Sequence, residues 1–398
     1  MALRVSRALL WDSVVEWGFP VRTLVGAGAR SKIAGVLGES GARRPLVVTD
    51  AGLAGQGFFQ ELLRGFERDG LRASVFAEVH PNPLDRDVAL GADAYRRGGC
   101  DSIVCVGGGS GLDGGKCVAM VAESGLRLQD CDYFAQAPAL PAGGRLVPCV
   151  TVPTTAGTGA EMDSGSMYTD TEAKVKRCAG HAALPLTAVL DPELSLGLPP
   201  SLTAWTGMDA LVHAMEAFLA PGCHPMCDSI ALAAMQKIQR NLLRAVADGS
   251  DLEARHEMLM ASAMAAVAFQ KGLGAVHGLS EPLGAVYGVH HGLTNAVLLP
   301  YVLRDLGAVI EDRCADIAHA LRLPPGGSRA GAVVAWIGEL SEQLAIPSRL
   351  RDLEPSLEHA APDDISELAR KAAANPTGFT NFVRWDVEDY ARILRIAI

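Results

Sequence analysis

TGMDALVHAME, residues 206–216, is a run of helix-forming residues in which Asp209 and His213 lie four positions apart. Side chains at positions i and i+4 leave the same face of an α-helix, so this carboxylate and this imidazole point in one direction. A carboxylate and an imidazole on one face form half of a divalent-metal site. The stretch therefore predicts a helix that carries two metal ligands.

Two further histidines, His277 and His291, lie fourteen residues apart in AVHGLSEPLGAVYGVHHGLTNAVLLP, residues 275–300. That interval is about four helical turns, and it contains Pro282 and several glycines. This composition predicts two helices joined by a bend, which would bring both imidazoles to one ion. One Asp and three His suit a borderline divalent cation such as Fe²⁺ or Zn²⁺.

The composition is that of an ordinary globular protein, and the 398 residues predict two domains. The net charge of −10 and the absence of basic runs argue against nucleic acid and anionic membranes as partners. No apolar run reaches the roughly 18 residues of a membrane span, and the N-terminal stretch, with Asp12 and Glu16, does not predict a signal peptide. Nine cysteines without paired spacing fit reduced thiols in a cytoplasm.

Short β-branched runs alternate with helical stretches from Phe19 to about Val152. This alternation predicts a parallel sheet with helices on both faces. After about Leu190 the pattern is helix after helix. The sequence therefore predicts an α/β nucleotide-binding domain over residues 1–190 and an all-helical, metal-binding domain over residues 191–398.

A glycine-rich loop, Gly107 to Ser110, follows the apolar strand IVCV and precedes a predicted helix. Glycines permit close backbone approach, and a helix N-terminus attracts anions through its free N–H groups. A run of this kind is also common in tight turns. Here a second polar loop, residues 154–159, follows the next strand, and ligands gather at the carboxyl ends of parallel strands. The pair of loops favours a site for a dinucleotide diphosphate.

Asp50 ends the second predicted strand, PLVVTD. A carboxylate at this position accepts hydrogen bonds from ribose hydroxyls and repels a 2′-phosphate, which favours NAD over NADP. The alternative is that Asp50 caps the helix that follows it.

With these residues the sequence resembles the iron-dependent (group III) alcohol dehydrogenases, within the dehydroquinate synthase-like fold. The resemblance runs from about Gly26 to Leu306. It is carried by VVTD (47–50), HPNP (80–83), GGGSGLDGGK (107–116), PTTAGTGAE (153–161) and the metal stretches TGMDALVHAMEAF and HGLSEPLG…HHG.

The resemblance implies an N-terminal dinucleotide-binding domain, a helical metal domain, NAD(H) and one divalent metal ion, with Fe²⁺ the first expectation and Zn²⁺ the second. It implies four metal ligands, Asp209, His213, His277 and His291; the adjacent His290 lies at the wrong interval from His277. The implied cofactor contacts are Asp50, Asn82, Gly108, Gly109, Ser110, Asp113, Thr154, Thr155, Thr158 and Lys176.

Two positions depart from the family pattern. Glu281 stands where members carry a second histidine in HGxxHxLG, and Asp163 stands where members carry Ser or Thr. Glu281 is the candidate catalytic residue, because the proton that leaves the alcohol must reach water. Glu216 lies three residues after His213 and could equally hold an imidazole or form a structural pair, so it stays outside the predicted site.

The predicted function is a metal-dependent, NAD(H)-linked alcohol dehydrogenase or aldehyde reductase for small substrates. A homodimer or larger homo-oligomer in the cytoplasm is expected. Two alternatives stay open: a dehydroquinate-synthase-like lyase, and a catalytically impaired homologue with a binding role. The lyase would need a pocket rich in Lys and Arg, and residues 277–292 contain neither.

Overall fold

The computed structural model describes residues 21–135, 137–173, 175–184 and 186–398. The prediction about a signal peptide lies outside the described residues. The described chain divides into an α/β unit, residues 21–198 with 250–259, and a helical unit, residues 199–249 with 260–398.

The α/β unit contains a six-stranded parallel sheet in the order β1-β8-β5-β4-β2-β3 and a separate antiparallel hairpin, β6-β7. The strands are β1 (Arg22–Val25), β2 (Pro45–Val48), β3 (Ser74–Phe76), β4 (Ser102–Gly107), β5 (Cys149–Pro153), β6 (Ser166–Asp170), β7 (Val175–Ala179) and β8 (Leu186–Leu190). Its helices are α1 (Ile33–Glu39), α2 (Ala51–Ala54), α3 (Gly57–Arg68), α4 (Asp85–Arg97) and α5 (Gly109–Val121).

Successive residues of the central strands enter two different hydrophobic cores. In β2, Leu46 and Val48 pack into one core, and Val47 packs into the other. Because successive side chains of a strand point to opposite faces, both faces of the sheet are buried. Continuous apolar runs such as IVCV in β4 are the sequence signature of this arrangement.

The helical unit is built around α6 (Pro200–Leu219), most of whose side chains are buried. The other helices are α7 (Pro225–Ala247), α8 (Leu252–Ala268), α9 (Ala275–Tyr287), α10 (His291–Leu306), α11 (Glu311–Ala320), α12 (Arg329–Gln343), α13 (Pro362–Ala373) and α14 (Val387–Ala397). The helix α8 begins within residues that group with the α/β unit.

The predicted fold class, a parallel α/β unit and a helical unit, is confirmed. The two histidine-bearing helices are joined by a bend, as predicted. The bend lies at Gly288, one of the glycines of this stretch, which adopts a left-handed conformation (φ 69°), and Pro282 lies inside α9. The hairpin β6-β7 and the strand β8 occupy a part of the sequence to which no element was assigned.

One helical stretch of the described chain, His291–Ala320, is long and apolar enough to cross a membrane by length and composition alone, with a hydropathy of 1.3. Of the apolar window within it, 61% is buried inside the protein. The helices Leu252–Lys271 and Ala275–Tyr287 pass the same test only together, and they are bent by 107°. A buried core helix meets this criterion equally well, so the stretch is weak evidence for a span.

Candidate active site

The four predicted metal ligands converge in the helical unit. Their ligand atoms all lie within 4.8 Å of one another, although the residues come from three different helices, α6, α9 and α10. The rings of His213 and His277 stack with centroids 4.6 Å apart, and the ring of His291 is 5.2 Å from that of His277. Asp209, His213 and His277 are buried, whereas the side chain of His291 retains 31% exposure. Solvent therefore reaches the cluster from the His291 side.

Glu216 orients His277. Its Oε2 lies 2.6 Å from His277 Nδ1, and its Oε1 accepts the backbone N–H of Val276 at 2.7 Å. Both contacts fall in the first turn of α9, where backbone N–H groups have no intrahelical partner. The carboxylate therefore caps α9 from a neighbouring helix and accepts a hydrogen bond from Nδ1–H. This favours the tautomer in which Nε2 has a lone pair toward the cluster. Glu216 thus contacts a predicted metal ligand, His277. The sequence favoured neither this role nor that of a structural pair.

Asn295 lies at the centre of the ligand set. Its Nδ2 is 2.8 Å from Asp209 Oδ1, 3.2 Å from His277 Nε2 and 3.1 Å from His291 Nε2. Its Oδ1 is buried and has no hydrogen-bond partner among the described residues. One buried amide, with two N–H donors, thus lies within hydrogen-bond distance of three of the four ligand groups.

The electrostatics of the cluster keep the carboxylate ionised. Burial alone would raise the pKa of Asp209, but the three imidazoles and the Asn295 amide lower it to about 2. Burial lowers the pKa of His277, and the Glu216 and Asp209 carboxylates outweigh this effect and raise it. A buried anionic oxygen beside three imidazole nitrogens is an arrangement that a cation stabilises.

The residues fit a divalent metal ion. The donor set is one carboxylate oxygen and three imidazole nitrogens, which suits iron or zinc. The second ring nitrogen of His277 is bonded to a carboxylate, as in metal sites whose ligands are held in one tautomer.

Asn295 was missed by sequence reasoning, and a local signal was available. It lies four residues after His291, so the two side chains share a face of α10. No local signal links Glu216 to His277, because the two residues are 61 positions apart.

The two predicted diphosphate loops lie against each other in the α/β unit. Thr154 N donates to Gly107 O at 2.9 Å, at the carboxyl ends of neighbouring strands. A Cβ on Gly109 would lie 2.7 Å from Thr158 Cγ2, and one on Gly108 would lie 3.3 Å from Thr155 Oγ1. Only glycine permits this close approach of the first loop to the second.

The other predicted cofactor residues have varied local contacts. Asp50 accepts the N–H of Leu53 at 3.0 Å and caps α2, so the capping alternative describes its geometry. Ser110 donates to the carbonyl of Pro81, which brings the glycine loop to the HPNP segment that contains Asn82. Asp113 and Lys176 lie on α5 and on the hairpin strand β7.

The two residues that depart from the family pattern have defined partners. Glu281 lies one turn after His277 in α9, and its Oε2 accepts a hydrogen bond from Asn375 Nδ2 at 2.5 Å. Asp163 accepts the Tyr133 hydroxyl at 2.9 Å and the N–H of Gly165 at 3.2 Å. Asp163 therefore stabilises its own turn within the α/β unit.

A parallel α/β unit with two glycine- and threonine-rich loops, and a helical unit with an Asp and three His, define a class of metal- and dinucleotide-dependent proteins. Comparisons with known proteins identify the family within this class. The profile of the iron-containing alcohol dehydrogenases matches residues 20–192, and that of the C-terminal part of the same family matches residues 203–398. The chain belongs to the iron-containing alcohol dehydrogenase family.

Individual relatives agree with this assignment. The chain is 38% identical to 4-hydroxybutyrate dehydrogenase of Cupriavidus necator, over 92% of this chain and 95% of that protein. It is 35% identical to NAD-dependent methanol dehydrogenase of Bacillus methanolicus, over 95% of this chain and 98% of that protein. The solved structure of a 1,3-propanediol oxidoreductase superposes with a TM-score of 0.89, at 36% identity, over 97% of this chain and 100% of that one.

Family membership makes the chain an oxidoreductase that acts on CH–OH groups, in a family that works with a divalent metal ion and NAD. The relatives named above are dehydrogenases or oxidoreductases. They support the dehydrogenase prediction and not the lyase or the impaired homologue.

Proposed function

We propose that this protein interconverts small primary alcohols and their aldehydes with NAD(H), through a metal ion held by Asp209, His213, His277 and His291. One observation carries the proposal: four potential ligand atoms from three helices lie within 4.8 Å of one another in a mostly buried position. The relatives named for 4-hydroxybutyrate, methanol and 1,3-propanediol all point to a small primary alcohol as the substrate class.

The protein's contribution is orientation and charge. When bound, the metal ion supplies a Lewis acid for the alcohol or carbonyl oxygen, and the nicotinamide supplies the hydride acceptor or donor. Glu216 holds His277 in one tautomer, and Asn295 orients Asp209 and His291. The buried position of three ligands excludes water from most of the cluster.

The cofactor is assigned to the two loops of the α/β unit. Gly108, Gly109 and Ser110 would contact the diphosphate from the start of α5. Thr154, Thr155 and Thr158 would contact it from the second loop, since the loops already touch. Asp50 would accept hydrogen bonds from the ribose hydroxyls through the carboxylate oxygen that does not cap α2. Asn82 and Lys176 are further cofactor contacts that the family resemblance implies.

Glu281 is the proposed proton relay. It lies on the same face of α9 as His277, one turn away, and Asn375 holds its carboxylate. It is partly exposed, so a proton that it takes from the substrate can pass to water.

The cysteines support a cytoplasmic enzyme, because all nine are free thiols, as is usual in a reducing compartment. Five of them lie in one hydrophobic core of the α/β unit. A homodimer or larger homo-oligomer without nucleic acid or membrane partners completes the proposal, on the basis of the family resemblance and the net charge of −10.

The test is to follow NADH and NADPH absorbance with a panel of C1 to C4 primary alcohols and aldehydes, before and after restoring Fe²⁺ or Zn²⁺ to chelated protein. Turnover that requires the metal and prefers NAD(H) is expected, and His277→Ala should lose metal and turnover together. Asp50→Gly should narrow the preference for NAD(H). Full activity of metal-free protein would refute the metal assignment, and a wild-type preference for NADP(H) would refute the role of Asp50.

A further inference from the structure

Lys116, the last residue of GGGSGLDGGK, is completely buried. A buried ammonium group is costly unless it is paired and fully hydrogen-bonded. Its Nζ donates to three backbone carbonyls, at 2.6 Å to Ala160, 3.0 Å to Asp163 and 2.5 Å to Gly165. Its three N–H donors are therefore matched by three carbonyls of one short segment.

Asp113, one turn earlier on α5, completes the arrangement. Its Oδ1 lies 3.2 Å from Lys116 Nζ, and its Oδ2 accepts the backbone N–H of Met167 at 3.1 Å. Burial lowers the pKa of Lys116, but the carboxylates of Asp113 and Asp163 outweigh this effect and raise it, so the ammonium stays charged. Two side chains of one helix thus hold the segment 160–167 at four points.

The segment 160–167 directly follows the second diphosphate loop, 154–159, and α5 begins within the glycine loop, at Gly109. Thr158 forms one contact between the two loops, because its side chain fills the space beside Gly109. Thr154 and Thr155 form the others, at the strand ends. What holds the segment 160–167 against α5 therefore supports the spacing of the loops on the Thr158 side.

We propose that Lys116 and Asp113 form a buried clamp that fixes the spacing of the two cofactor loops and so determines the affinity for the dinucleotide. Both are positioning residues, and Asp113 acts through the loop rather than as the cofactor contact that the family resemblance implies. The part that concerns the dinucleotide rests on the proposed function, whereas the clamp itself does not.

The test compares the metal-loaded wild-type enzyme with Lys116→Met, Asp113→Asn and the double variant Asp113→Asn/Lys116→Met. In Lys116→Met alone, Asp113 would be left buried and unpaired, and that variant protein could fail to fold for this reason. The double variant removes both charges at once and therefore avoids an unpaired buried charge. Lys32→Met is the matched control, because Lys32 is an exposed lysine of the same unit. Hydrogen exchange of residues 158–167, the KM for NAD⁺, kcat and the metal content are measured for each.

Lys116→Met should accelerate exchange in the segment 158–167 and raise the KM for NAD⁺ at least about tenfold, equivalent to about 1.4 kcal/mol. The value of kcat at saturating NAD⁺ and the metal content should change little, because the metal ligands lie in the helical unit. Asp113→Asn should have a smaller effect, since the amide oxygen can still accept the Met167 N–H. Lys32→Met should match the wild type.

Three outcomes would overturn the proposal. Native exchange with weakened NAD⁺ binding would mean that these side chains contact the cofactor directly. Faster exchange with native KM for NAD⁺ would mean that the clamp has no bearing on the cofactor. Native values for both measurements would remove the clamp altogether. If the wild type uses no NAD(H) but Lys116→Met still loosens the segment, the proposed function fails and the clamp stands.

Discussion

At the scale of single residues, three carboxylates of this protein have sharply different surroundings. Asp209 is ionised among three imidazoles, with its pKa lowered to about 2 against the opposing effect of burial. Glu161, just after the second cofactor loop, is buried with Oε1 unbonded among the described residues, and burial raises its pKa to about 7. Glu281 is partly exposed and held by Asn375.

Glu281→Gln tests the proton relay. Asn375 can still donate to the amide oxygen of Gln, so the substitution removes the acid–base group and keeps its orientation. We expect the rate of alcohol oxidation to fall roughly 10²-fold or more, with metal content unchanged. A change in KM or substrate preference alone, with native kcat and pH profile, would show that Glu281 only shapes the pocket. Loss of metal would mean that the ligand set is wrong.

Glu216→Gln tests the support of His277. A Gln side chain has one acceptor, so it cannot serve both the Val276 N–H and the Nδ1 proton of His277. Metal affinity should fall about 10- to 100-fold, as is typical when such a partner is removed, and it is measured by competition with a chelator.

The matched control for Glu216→Gln is Glu311→Gln. Glu311 also lies in the helical unit and accepts hydrogen bonds at a helix start, from Ser328 Oγ at 2.8 Å and Ala330 N at 3.2 Å, but it contacts no predicted metal ligand. Glu311→Gln should cost stability and leave metal affinity unchanged. An equal loss of metal affinity in both variants would mean that the loss comes from weaker helix capping and not from the lost contact between Glu216 and His277.

Glu161 predicts a pH dependence of stability. An unfolded Glu titrates near about 4.3, whereas the folded carboxyl has a pKa of about 7 because it is buried. Between these values the unfolded chain releases a proton that the folded chain keeps, so stability falls as the pH rises, by up to about 4 kcal/mol. Urea unfolding midpoints at pH 5 and pH 8 should therefore differ less for Glu161→Gln than for the wild type. An identical difference in both proteins would show that Glu161 is ionised in the fold.

At the scale of elements, the cluster of predicted metal ligands depends on the close packing of α6 and α10. A Cβ on Gly292 would lie 2.5 Å from the carbonyl oxygen of Trp205 and 3.0 Å from Asp209 Cβ. Glycine at this position therefore sets the separation of two helices, one of which carries Asp209 and His213 and the other His291.

Gly292→Ala should push these helices apart. Overpacking of this kind typically costs about 1–3 kcal/mol, and the displacement of His291 should lower metal affinity as well. Thermal unfolding and chelator competition measure the two effects. The control is Gly338→Ala in α12, where an added Cβ meets no atom within 4 Å; this variant should be as stable as the wild type or more stable by about 0.5–1 kcal/mol. Native metal affinity in Gly292→Ala would show that the cluster tolerates the helix shift.

At the scale of the whole molecule, the chain consists of two units, and the predicted ligands and loops divide between them. All four predicted metal ligands belong to the helical unit, and both predicted cofactor loops belong to the α/β unit. A metal ion that binds only the folded state should therefore stabilise the helical unit selectively, by about 2.7 kcal/mol at a free concentration 100 times Kd.

Removal of the metal tests this division. Chelated protein should show faster hydrogen exchange in α6, α9 and α10 than metal-loaded protein, while exchange in β4 and β5 stays unchanged. Restoring Fe²⁺ or Zn²⁺ should return the protection. A uniform change across both units, or none at all, would contradict a metal site built within the helical unit.

The fold class follows from the sequence pattern alone, and so does the prediction of the four residues whose ligand atoms converge. Short apolar runs that alternate with helical stretches predicted the parallel sheet. The spacing of Asp209 and His213 predicted a shared helix face because one helical turn connects them. Family motifs extended the assignment to His277 and His291. These signals are local or motif-based, so they need no knowledge of which helix packs on which.

The groups that support those predicted ligands and loops come from distant parts of the chain, so they are known from the tertiary structure. Glu216 reaches His277 across 61 positions, and Lys116 reaches the carbonyls of residues 160–165 across 44 to 49 positions. The bend before α10 lies at Gly288 and not at Pro282, because a left-handed residue ends a helix whereas the proline is accommodated within α9. Periodicity describes a residue's neighbours within a turn or a strand, and contacts between distant segments depend on how the folded elements pack.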